Sequence, residues 1–362
     1  MNFPKIILLV VIPLLLLACK GNKASDERGD CDAVKLKYSQ LLSIVKHHDY
    51  TEVSIADPWN KGRILHRYIL AEKKVQTEGN ATFVRVPLKR AVVFTAPHLG
   101  LIANLDAKKS VAGVCDMEYV MANWVKSLAD CGNAMNPNVE KIITLKPDGI
   151  ILSPFQNSGG YGKVEQLGVP IVEAADYMET SALGRAEWMI FYGMLFGKED
   201  EACKLFDSIE RNYNRLFSEK AQEKHPKVMV DLKQSSSWYV PGGGSTLGRM
   251  IADAGGDYAF SDDKRSGSIP CSIETMIEMN NDADIWLVKY CGTNDLTLSQ
   301  MTVDNDKYAL FKAWRNGEVY GCNTKYVPYY EEVPFHPDLL LEDYVNIFHR
   351  TTDHLRYYKK LQ

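Results

Sequence analysis

Short apolar runs alternate with helix-like stretches over much of this chain. Runs without internal polar residues predict strands buried on both faces, and the stretches between them predict covering helices. Together they indicate a parallel sheet from residue 90 onward. The predicted strands are residues 91–94, 111–114, 149–152 and 170–172, and the predicted helices are residues 119–129, 137–145 and 161–168.

The alternation stops between residues 181 and 222, where two consecutive helices are predicted, 181–196 and 198–222. At 1.5 Å per residue the second helix would be about 36 Å long, comparable with a small domain. Its apolar residues recur at helical spacing: Ala202, Leu205, Phe206, Ile209, Tyr213 and Leu216. Beyond it the alternation resumes, with predicted strands 228–231, 285–288 and 318–320 and a closing helix 337–355. The pattern therefore predicts two α/β lobes of similar size joined by one stiff helix, which would restrict hinge opening to small angles.

The residues before the first lobe have a different pattern. Residues 20–48 combine a polar tether with a short helix-like stretch, and residues 51–55, 65–71 and 82–87 predict short antiparallel strands. We divide the chain into a signal peptide (1–18), a tether and N-terminal helix/β segment (19–88), an N-terminal lobe (89–197), a connecting helix (198–222) and a C-terminal lobe (223–362).

The first residues are typical of an export signal. Lys5 precedes an apolar run, residues 6–17, which is shorter than the roughly 20 residues that span a bilayer. The run ends in Leu16-Leu17-Ala18-Cys19, which resembles the lipobox of bacterial lipoproteins. We therefore expect Cys19 to be the lipidated first residue of a protein anchored to a membrane in the periplasm. The alternative is an ordinary cleaved signal in which Cys19 has no role.

Composition excludes some functions. The chain has 362 residues, 46% of them hydrophobic, and a formal net charge of −4, which argues against a nucleic-acid partner. Of its eight cysteines, seven remain besides Cys19, and none forms a C-x-x-C pair, which argues against a zinc or iron–sulfur site. The pairing of these cysteines stays open.

Several motifs then occur in the order typical of one family. They are residues 89–94, residues 111–114 followed by Asp116, residues 136–148, residues 167–170, residues 254–257 and Ser272-Ile273-Glu274. Over about residues 85–350 the chain resembles the periplasmic binding proteins of ABC importers for iron siderophores, haem and cobalamin. The resemblance implies two Rossmann-like lobes on a helical backbone, a permease and its ATPase as partners, and a metal complex as ligand. It further implies a monomer, without a cofactor or catalytic residues.

The resemblance also implies that two glutamates, Glu140 and Glu274, dock onto arginines of the permease. Asn136 would cap a helix with Pro137 among its first positions, and Ser272 would cap the helix that begins near Glu274. Carboxylates in these first turns would be stabilised by the helix dipoles and presented outward. The alternative is that both are ordinary first-turn acids.

A ligand cleft is expected where the carboxyl ends of the strands meet, because ligands of open α/β sheets bind there. The loops at these ends are rich in aromatic residues, which suit a large planar or chelated ligand such as haem, a ferric siderophore or a corrinoid. The candidate cleft residues are His98, Asp116, Tyr119, Phe155, Gln156, Tyr177, Trp238, Tyr239, Arg265, Tyr290, Tyr326 and Tyr329. His98 and Tyr326 are also candidate axial ligands of haem iron, although a lone histidine more often has a structural role.

Alternative functions have weaker support. Residues 242–250 resemble a phosphate loop, but Arg249-Met250 stands where that loop needs Lys-Ser/Thr. Leu247 likewise prevents a G-x-S-x-G match. A hydrolase or chelatase would need a histidine–carboxylate pair, for which His98 with Asp116 or Glu118 is the candidate. A surface scavenger that passes its ligand to an outer-membrane receptor is a further alternative.

Overall fold

The computed structural model describes residues 32–156, 160–220, 225–352 and 354–362. The predicted signal peptide, Cys19 and most of the predicted tether lie outside these residues. No helix within them combines the length and the apolar character needed to cross a bilayer.

The chain first forms a five-stranded sheet in the order β1-β2-β3-β4-β5. Its strands are β1 Asp32–Ala33, β2 Leu42–Lys46, β3 Thr51–Ala56, β4 Ile64–Ala71 and β5 Thr82–Arg85. The helix-like stretch predicted before residue 48 is wrong, because Leu42 and Ile44 are buried while Ser43 between them is exposed, which is strand periodicity. Strands β3 and β4 are antiparallel, as predicted, and β1 and β2, which were not predicted, extend this antiparallel pairing. The antiparallel prediction for β5 is wrong, because β5 pairs with β4 in parallel.

The N-terminal lobe is built on an all-parallel sheet in the order β12-β11-β6-β7-β8. Its elements are β6 Ala91–Val93, α1 Ala96–Asn104, β7 Val111–Val114, β8 Ala129–Asp130, β9 Gly132–Asn133, β10 Asn136–Pro137, α2 Val139–Leu145, β11 Gly149–Leu152 and β12 Ile171–Glu173. Strands β9 and β10 form a small hairpin outside the main sheet. The predicted helices 119–129 and 161–168 are instead 3₁₀ turns, at Asn123–Ser127 and Gly162–Leu167. Each turn buries a single residue, Val125 or Val164, so no apolar stripe supports a longer helix.

Three helices lead from one lobe to the other: α3 Ala182–Glu187, α4 Met189–Phe196 and α5 Glu199–Lys220. Helix α5 has 22 residues, about 33 Å at 1.5 Å per residue. Five residues of its predicted apolar stripe are buried: Ala202, Phe206, Ile209, Tyr213 and Leu216. The connecting helix is therefore present and is packed along one face.

The C-terminal lobe has a second sheet in the order β16-β13-β18-β19-β20, in which only β20 is antiparallel to its neighbour. Its elements are β13 Lys227–Val230, β14 Lys233–Gln234, β15 Ser237–Pro241, α6 Thr246–Asp253, β16 Asp257–Tyr258, β17 Ser268–Cys271, α7 Ile273–Asn280, β18 Ile285–Tyr290, α8 Leu298–Asp304, α9 Lys312–Arg315, β19 Val319–Asn323, α10 Tyr329–Glu332, α11 Pro337–His349 and β20 Lys359–Lys360. Strands β14, β15 and β17 form a separate antiparallel sheet that the sequence pattern did not predict.

Two buried glutamates fix the loop before β2 against the helices between the lobes. The Glu187 carboxylate accepts hydrogen bonds from the backbone amides of residues 37–39, at 2.7–2.9 Å. The Glu179 carboxylate accepts from the amides of Gln40 and Leu41 and from the Ser39 hydroxyl. Hydrogen bonds to a charged acceptor are stronger than neutral ones. The N-terminal sheet is thus attached to the body of the protein.

Candidate ligand cleft

The contact between α1 and α10 shows that the carboxyl edges of the two lobes face each other, since each of these helices follows a strand at its carboxyl end. Helix α1 follows β6 and packs against α10, which follows β19. A Cβ on Gly100 would lie 2.2 Å from the backbone oxygen of Glu331, so only glycine permits this approach. Asn104 Nδ2 and His336 Nε2 are 2.8 Å apart. Loops at both edges are therefore close enough to contact one ligand.

Five of the predicted cleft aromatics lie at the protein surface. The exposed fractions are 71% for Tyr119, 45% for Phe155, 37% for Tyr177, 47% for Tyr239 and 55% for Tyr326. The first three belong to the N-terminal lobe and the last two to the C-terminal lobe. Tyr119, Phe155 and Tyr177 follow strands β7, β11 and β12, and Tyr326 follows β19, whereas Tyr239 lies within β15. Four of the five rings are therefore in loops beyond the carboxyl ends of parallel strands, where ligands of α/β sheets bind.

His98 lies inside the N-terminal lobe and not at its surface, so the structure corrects its assignment to the cleft. The side chain is 2% exposed. Its Nε2 atom lies 3.0 Å from both Asp176 Oδ1 and the Tyr192 hydroxyl, and Nδ1 is hydrogen-bonded to the Thr95 hydroxyl. Because both ring nitrogens have protein partners, His98 has no nitrogen free for haem iron.

The pairing of His98 with Asp116 or Glu118, which an enzyme would need, is also wrong. The carboxylate hydrogen-bonded to His98 is that of Asp176. Asp116 instead accepts a hydrogen bond from the Ala134 amide at 3.0 Å and holds the β9–β10 hairpin. Burial raises the pKa of Asp176, but its contacts with His98 and Arg185 outweigh burial and lower the pKa to about 2. The Arg185 Nε atom donates to Asp176 Oδ2 at 2.9 Å. This buried network lies beneath the cleft and supports the loop that carries Tyr177.

Trp238 and Tyr329 are core residues, so their assignment to the cleft surface is corrected as well. Trp238 is fully buried, stacks on Trp286 with 5.6 Å between ring centroids, and donates from Nε1 to the Val230 carbonyl. It is adjacent to Tyr239 in β15, and adjacent strand residues point to opposite faces, so only Tyr239 faces outward. Tyr329 is 5% exposed and packs edge-on against Tyr357.

The remaining predicted cleft residues are Gln156, Arg265, Tyr290 and Tyr326, and each has a polar group at or near the protein surface. Gln156 is exposed. Arg265 forms a surface ion pair with Asp263 at 2.6 Å. Tyr290 and Tyr326 line a pocket of about 280 Å³ beside β19 and β20 in the C-terminal lobe. The Tyr326 hydroxyl donates to the Thr293 carbonyl at 2.7 Å, so its ligation of iron would require the loss of this bond.

The glycine-rich loop before α6 has a packing role. Cβ atoms on Gly242 and Gly243 would lie 2.2 Å from backbone oxygens of residues 265 and 261, and one on Gly248 would lie 2.3 Å from the Gly242 carbonyl. Ser245 caps α6 by accepting from the Gly248 amide at 3.1 Å. The loop and α6 border an interlobe cavity of about 380 Å³, lined by residues of α3 and α6 together with Gly243 and Ser261. Close backbone contacts therefore account for these glycines without a phosphate.

Both predicted docking glutamates are exposed first-turn residues. Glu140 lies in α2, whose cap is Asn138 and not the predicted Asn136: Asn138 Oδ1 accepts from the Lys141 amide at 2.9 Å. Asn136 and Pro137 belong to β10 instead, which leaves them no place in the helix. Glu274 lies in α7, capped by Ser272 as predicted, and pairs with Lys307 at 2.8 Å.

Two groups in the interlobe region were not predicted. Glu331 of α10 crosses to the N-terminal lobe, where its carboxylate accepts from the Met121 amide. Burial raises the pKa of Glu331. The second group is Asp231, which follows β13, with Lys289 near the end of β18; Asp231 Oδ1 lies 3.7 Å from Lys289 Nζ. A single lysine directly after the predicted strand 285–288 gives no sequence signal of such a pair.

No cluster of three histidine, cysteine or carboxylate side chains able to hold a metal ion occurs among the described residues. Six cysteines in the described part of the chain are free thiols: Cys115, Cys131, Cys203, Cys271, Cys291 and Cys322.

Comparisons with known proteins agree with this architecture. A Periplasmic binding protein family model matches residues 92–326. An uncharacterised lipoprotein of Methanocaldococcus jannaschii is 28% identical over 347 residues, covering 87% of this chain and 81% of its own length.

Solved structures of binding proteins share the fold. A periplasmic haem-binding protein of Pseudomonas aeruginosa has a TM-score of 0.61 at 13% identity, with 76% of this chain and 98% of that chain covered. The periplasmic vitamin B12-binding protein BtuF of Vibrio cholerae has a TM-score of 0.55 at 16% identity, with 73% and 98% covered. The chain belongs to the periplasmic binding protein family of ABC importers, in the class that includes siderophore-, haem- and vitamin B12-binding proteins.

Proposed function

We propose that this protein binds an iron complex, haem or a ferric siderophore, between its two lobes and delivers it to the permease of an ABC importer. The observation that carries the proposal is the set of exposed aromatic side chains on both facing carboxyl edges. Aromatic faces provide a large apolar contact with little loss of side-chain entropy. The haem-binding structural relative supports this ligand class, and the vitamin B12-binding relative keeps a corrinoid as the alternative.

Tryptophan fluorescence tests the proposal. The full-length chain in detergent micelles is titrated with haem, a ferric trihydroxamate, a ferric triscatecholate and cyanocobalamin. We expect saturable quenching by at least one iron complex. Quenching by cyanocobalamin alone would favour the corrinoid alternative, and no response to any of the four would reject both.

The proposal includes docking through Glu140 and Glu274. The Lys307 contact of Glu274 is a solvent-exposed ion pair, a kind of pair that contributes little to stability, so a permease arginine can replace Lys307. We expect the double variant Glu140→Ala/Glu274→Ala to abolish import while ligand affinity stays at the wild-type value. Glu278→Ala changes another exposed acid of α7 and serves as the matched control. Import at the wild-type rate by the double variant would refute the docking role.

We further propose that Cys19 carries the lipid anchor, which the lipoprotein relative supports. Two acyl chains hold a protein stably at a membrane. The Cys19→Ser variant should therefore move from the membrane fraction to the soluble fraction of the cell envelope. Continued membrane association of Cys19→Ser after washing with high salt would contradict the anchor.

A further inference from the structure

Two buried cysteines lie side by side where two parallel strands of the N-terminal sheet end. Strands β7 and β8 are parallel and pair Val114 with Asp130. The residue directly after each strand is a cysteine, so the same register sets Cys115 beside Cys131. The hydrogen bond from the Cys131 amide to the Val114 carbonyl, at 2.8 Å, continues this pairing. Neighbouring strands lie about 4.7–4.9 Å apart, within the Cα separation of about 4.4–6.8 Å that a disulfide bridges.

The side chains of the two cysteines point to the same face of the sheet. The Cys115 sulfur lies 3.7 Å from the Cys131 backbone oxygen. A Cβ on Gly113 would lie 2.7 Å from the Cys131 sulfur, and Gly113 shares its face of the sheet with Cys115, because side chains alternate along a strand. Both cysteines are buried in one apolar cluster. A rotation of the Cys131 side chain from Gly113 toward Cys115 therefore brings the two sulfur atoms together.

Cys291 and Cys322 in the C-terminal lobe provide a matched control with a different register. Strands β18 and β19 pair Lys289 with Cys322, so Cys291 lies two residues farther along the chain than the position opposite Cys322. Two residues of a strand span about 6.6 Å, which together with the gap between strands exceeds the limit of about 7 Å for a disulfide. These two cysteines should therefore not bond to each other.

We propose that Cys115 and Cys131 form a disulfide after export of the chain. The inference goes beyond ligand delivery, but it rests on the proposed anchorage in the cell envelope, because disulfides persist outside the cytosol and are reduced within it. The reaction is a thiol–disulfide exchange. An oxidant that carries a disulfide accepts two electrons and two protons from the thiols and leaves as a dithiol, so one sulfur–sulfur bond forms as another breaks.

Burial determines when this exchange takes place. The thiolate is the form of cysteine that attacks a disulfide. In the folded protein burial raises the pKa of both thiols, Cys115 and Cys131, so few thiolates are present. The cysteines are therefore oxidised while the chain folds, before the sheet is covered.

The disulfide closes the base of a loop at the candidate cleft. Residues 116–130 include the exposed Tyr119 and the Met121 amide that binds Glu331. Closing a loop of about 15 residues restricts the unfolded chain, which stabilises the folded lobe. The bond thus links the stability of this lobe to the redox state of its surroundings.

Mass spectrometry of the full-length protein tests the inference. Protein extracted from cell envelopes in detergent, without reductant, is denatured in the presence of N-ethylmaleimide and digested with trypsin. Lys126 lies between the two cysteines, so they fall in separate tryptic peptides, 110–126 and 127–141. We expect these two peptides to be linked, and we expect no link between Cys291 and Cys322. Refolding from denaturant in reduced and oxidised glutathione should give the same result.

Thermal melting measures the effect of the bond. Wild type that is reduced in denaturant and refolded with dithiothreitol should melt roughly 5–10 °C below the oxidised form, as expected for a loop of this length. Cys115→Ala/Cys131→Ala should melt at one temperature with and without dithiothreitol. If this variant fails to fold, Cys291→Ala, which keeps the bond, should still show the wild-type difference.

Three results would overturn the inference: maleimide on both Cys115 and Cys131 in protein from the envelope, a Cys291–Cys322 link formed as readily on refolding, or equal melting temperatures for oxidised and reduced wild type. Failure of export gives a different result. Cell fractionation would then find the protein in the cytosol with free thiols, while the purified chain would still form the Cys115–Cys131 link on refolding.

Discussion

Asp176 is expected to make this protein sensitive to acid between about pH 4 and pH 2. The carboxylate is 1% exposed and has three charged or polar partners: His98, Arg185 and Tyr192. Its pKa is lowered from 3.8 to about 2 in the folded protein. At about 1.36 kcal/mol for each pH unit, that difference corresponds to roughly 2.5 kcal/mol of folding free energy.

The sign follows from which state holds the proton more tightly. Since the folded state has the lower pKa, the stabilisation is fully present above the unfolded value and is lost as pH falls through the folded value. Asp176→Asn removes the titrating group, so its unfolding free energy should depend less on pH. At neutral pH the variant should be destabilised by about 3–5 kcal/mol, because Arg185 loses its buried partner.

Urea unfolding followed by tryptophan fluorescence measures both effects. Between pH 4 and pH 2 wild type should lose about 1.8 kcal/mol more stability than Asp176→Asn, which is the larger part of the total effect. Asp263→Asn is the control: the pKa of Asp263 is also lowered, to about 2, through its hydrogen bonds to Arg265, but this pair lies at the surface. Parallel pH profiles for wild type and Asp176→Asn would refute the assignment of the acid transition to this network.

Two further predictions concern packing. Trp238→Ala should lower the unfolding free energy by about 3–5 kcal/mol because the indole is fully buried. A Trp238→Ala variant of wild-type stability that binds ligand more weakly would contradict the place of Trp238 in the core. Gly100→Ala puts a Cβ 2.2 Å from the Glu331 backbone oxygen, so it should cost about 1–3 kcal/mol and lower the melting temperature. Gly267→Ala is the control, because nothing lies within 4 Å of a Cβ at Gly267, and its melting temperature should stay near the wild-type value. An unchanged or higher melting temperature for Gly100→Ala would argue against the close contact of α1 with α10.

The main architecture could be predicted because a strand that is buried on both faces consists of consecutive apolar residues. Residues 111–114 and 149–152 are unbroken apolar runs, and both are strands of the N-terminal sheet. The long helix was predictable for a related reason, since its buried residues, from Ala202 to Leu216, recur at helical spacing over about four turns. The antiparallel sheet β14-β15-β17 was missed because its strands are short and are connected through the glycine-rich loop and α6.

The candidate site was less predictable because its contacts join distant parts of the chain. Placing loops at the carboxyl edges identified the exposed rings of Tyr119, Phe155 and Tyr326. It could not separate them from His98, which is buried by a partner 78 residues away. Glu331 reaches an amide 210 residues away, so no local pattern contains that contact. Sequence position indicates which edge a residue occupies, whereas burial depends on packing partners.

Hydrogen–deuterium exchange with and without bound haem tests the central claim most directly, namely that one ligand contacts both lobes at their facing carboxyl edges. We predict protection in loops of both lobes: residues 117–122 and 174–178 in the first, and residues 237–240 and 325–332 in the second. Protection confined to one lobe, such as the pocket formed by residues 290–297 and 357–362, would contradict the account.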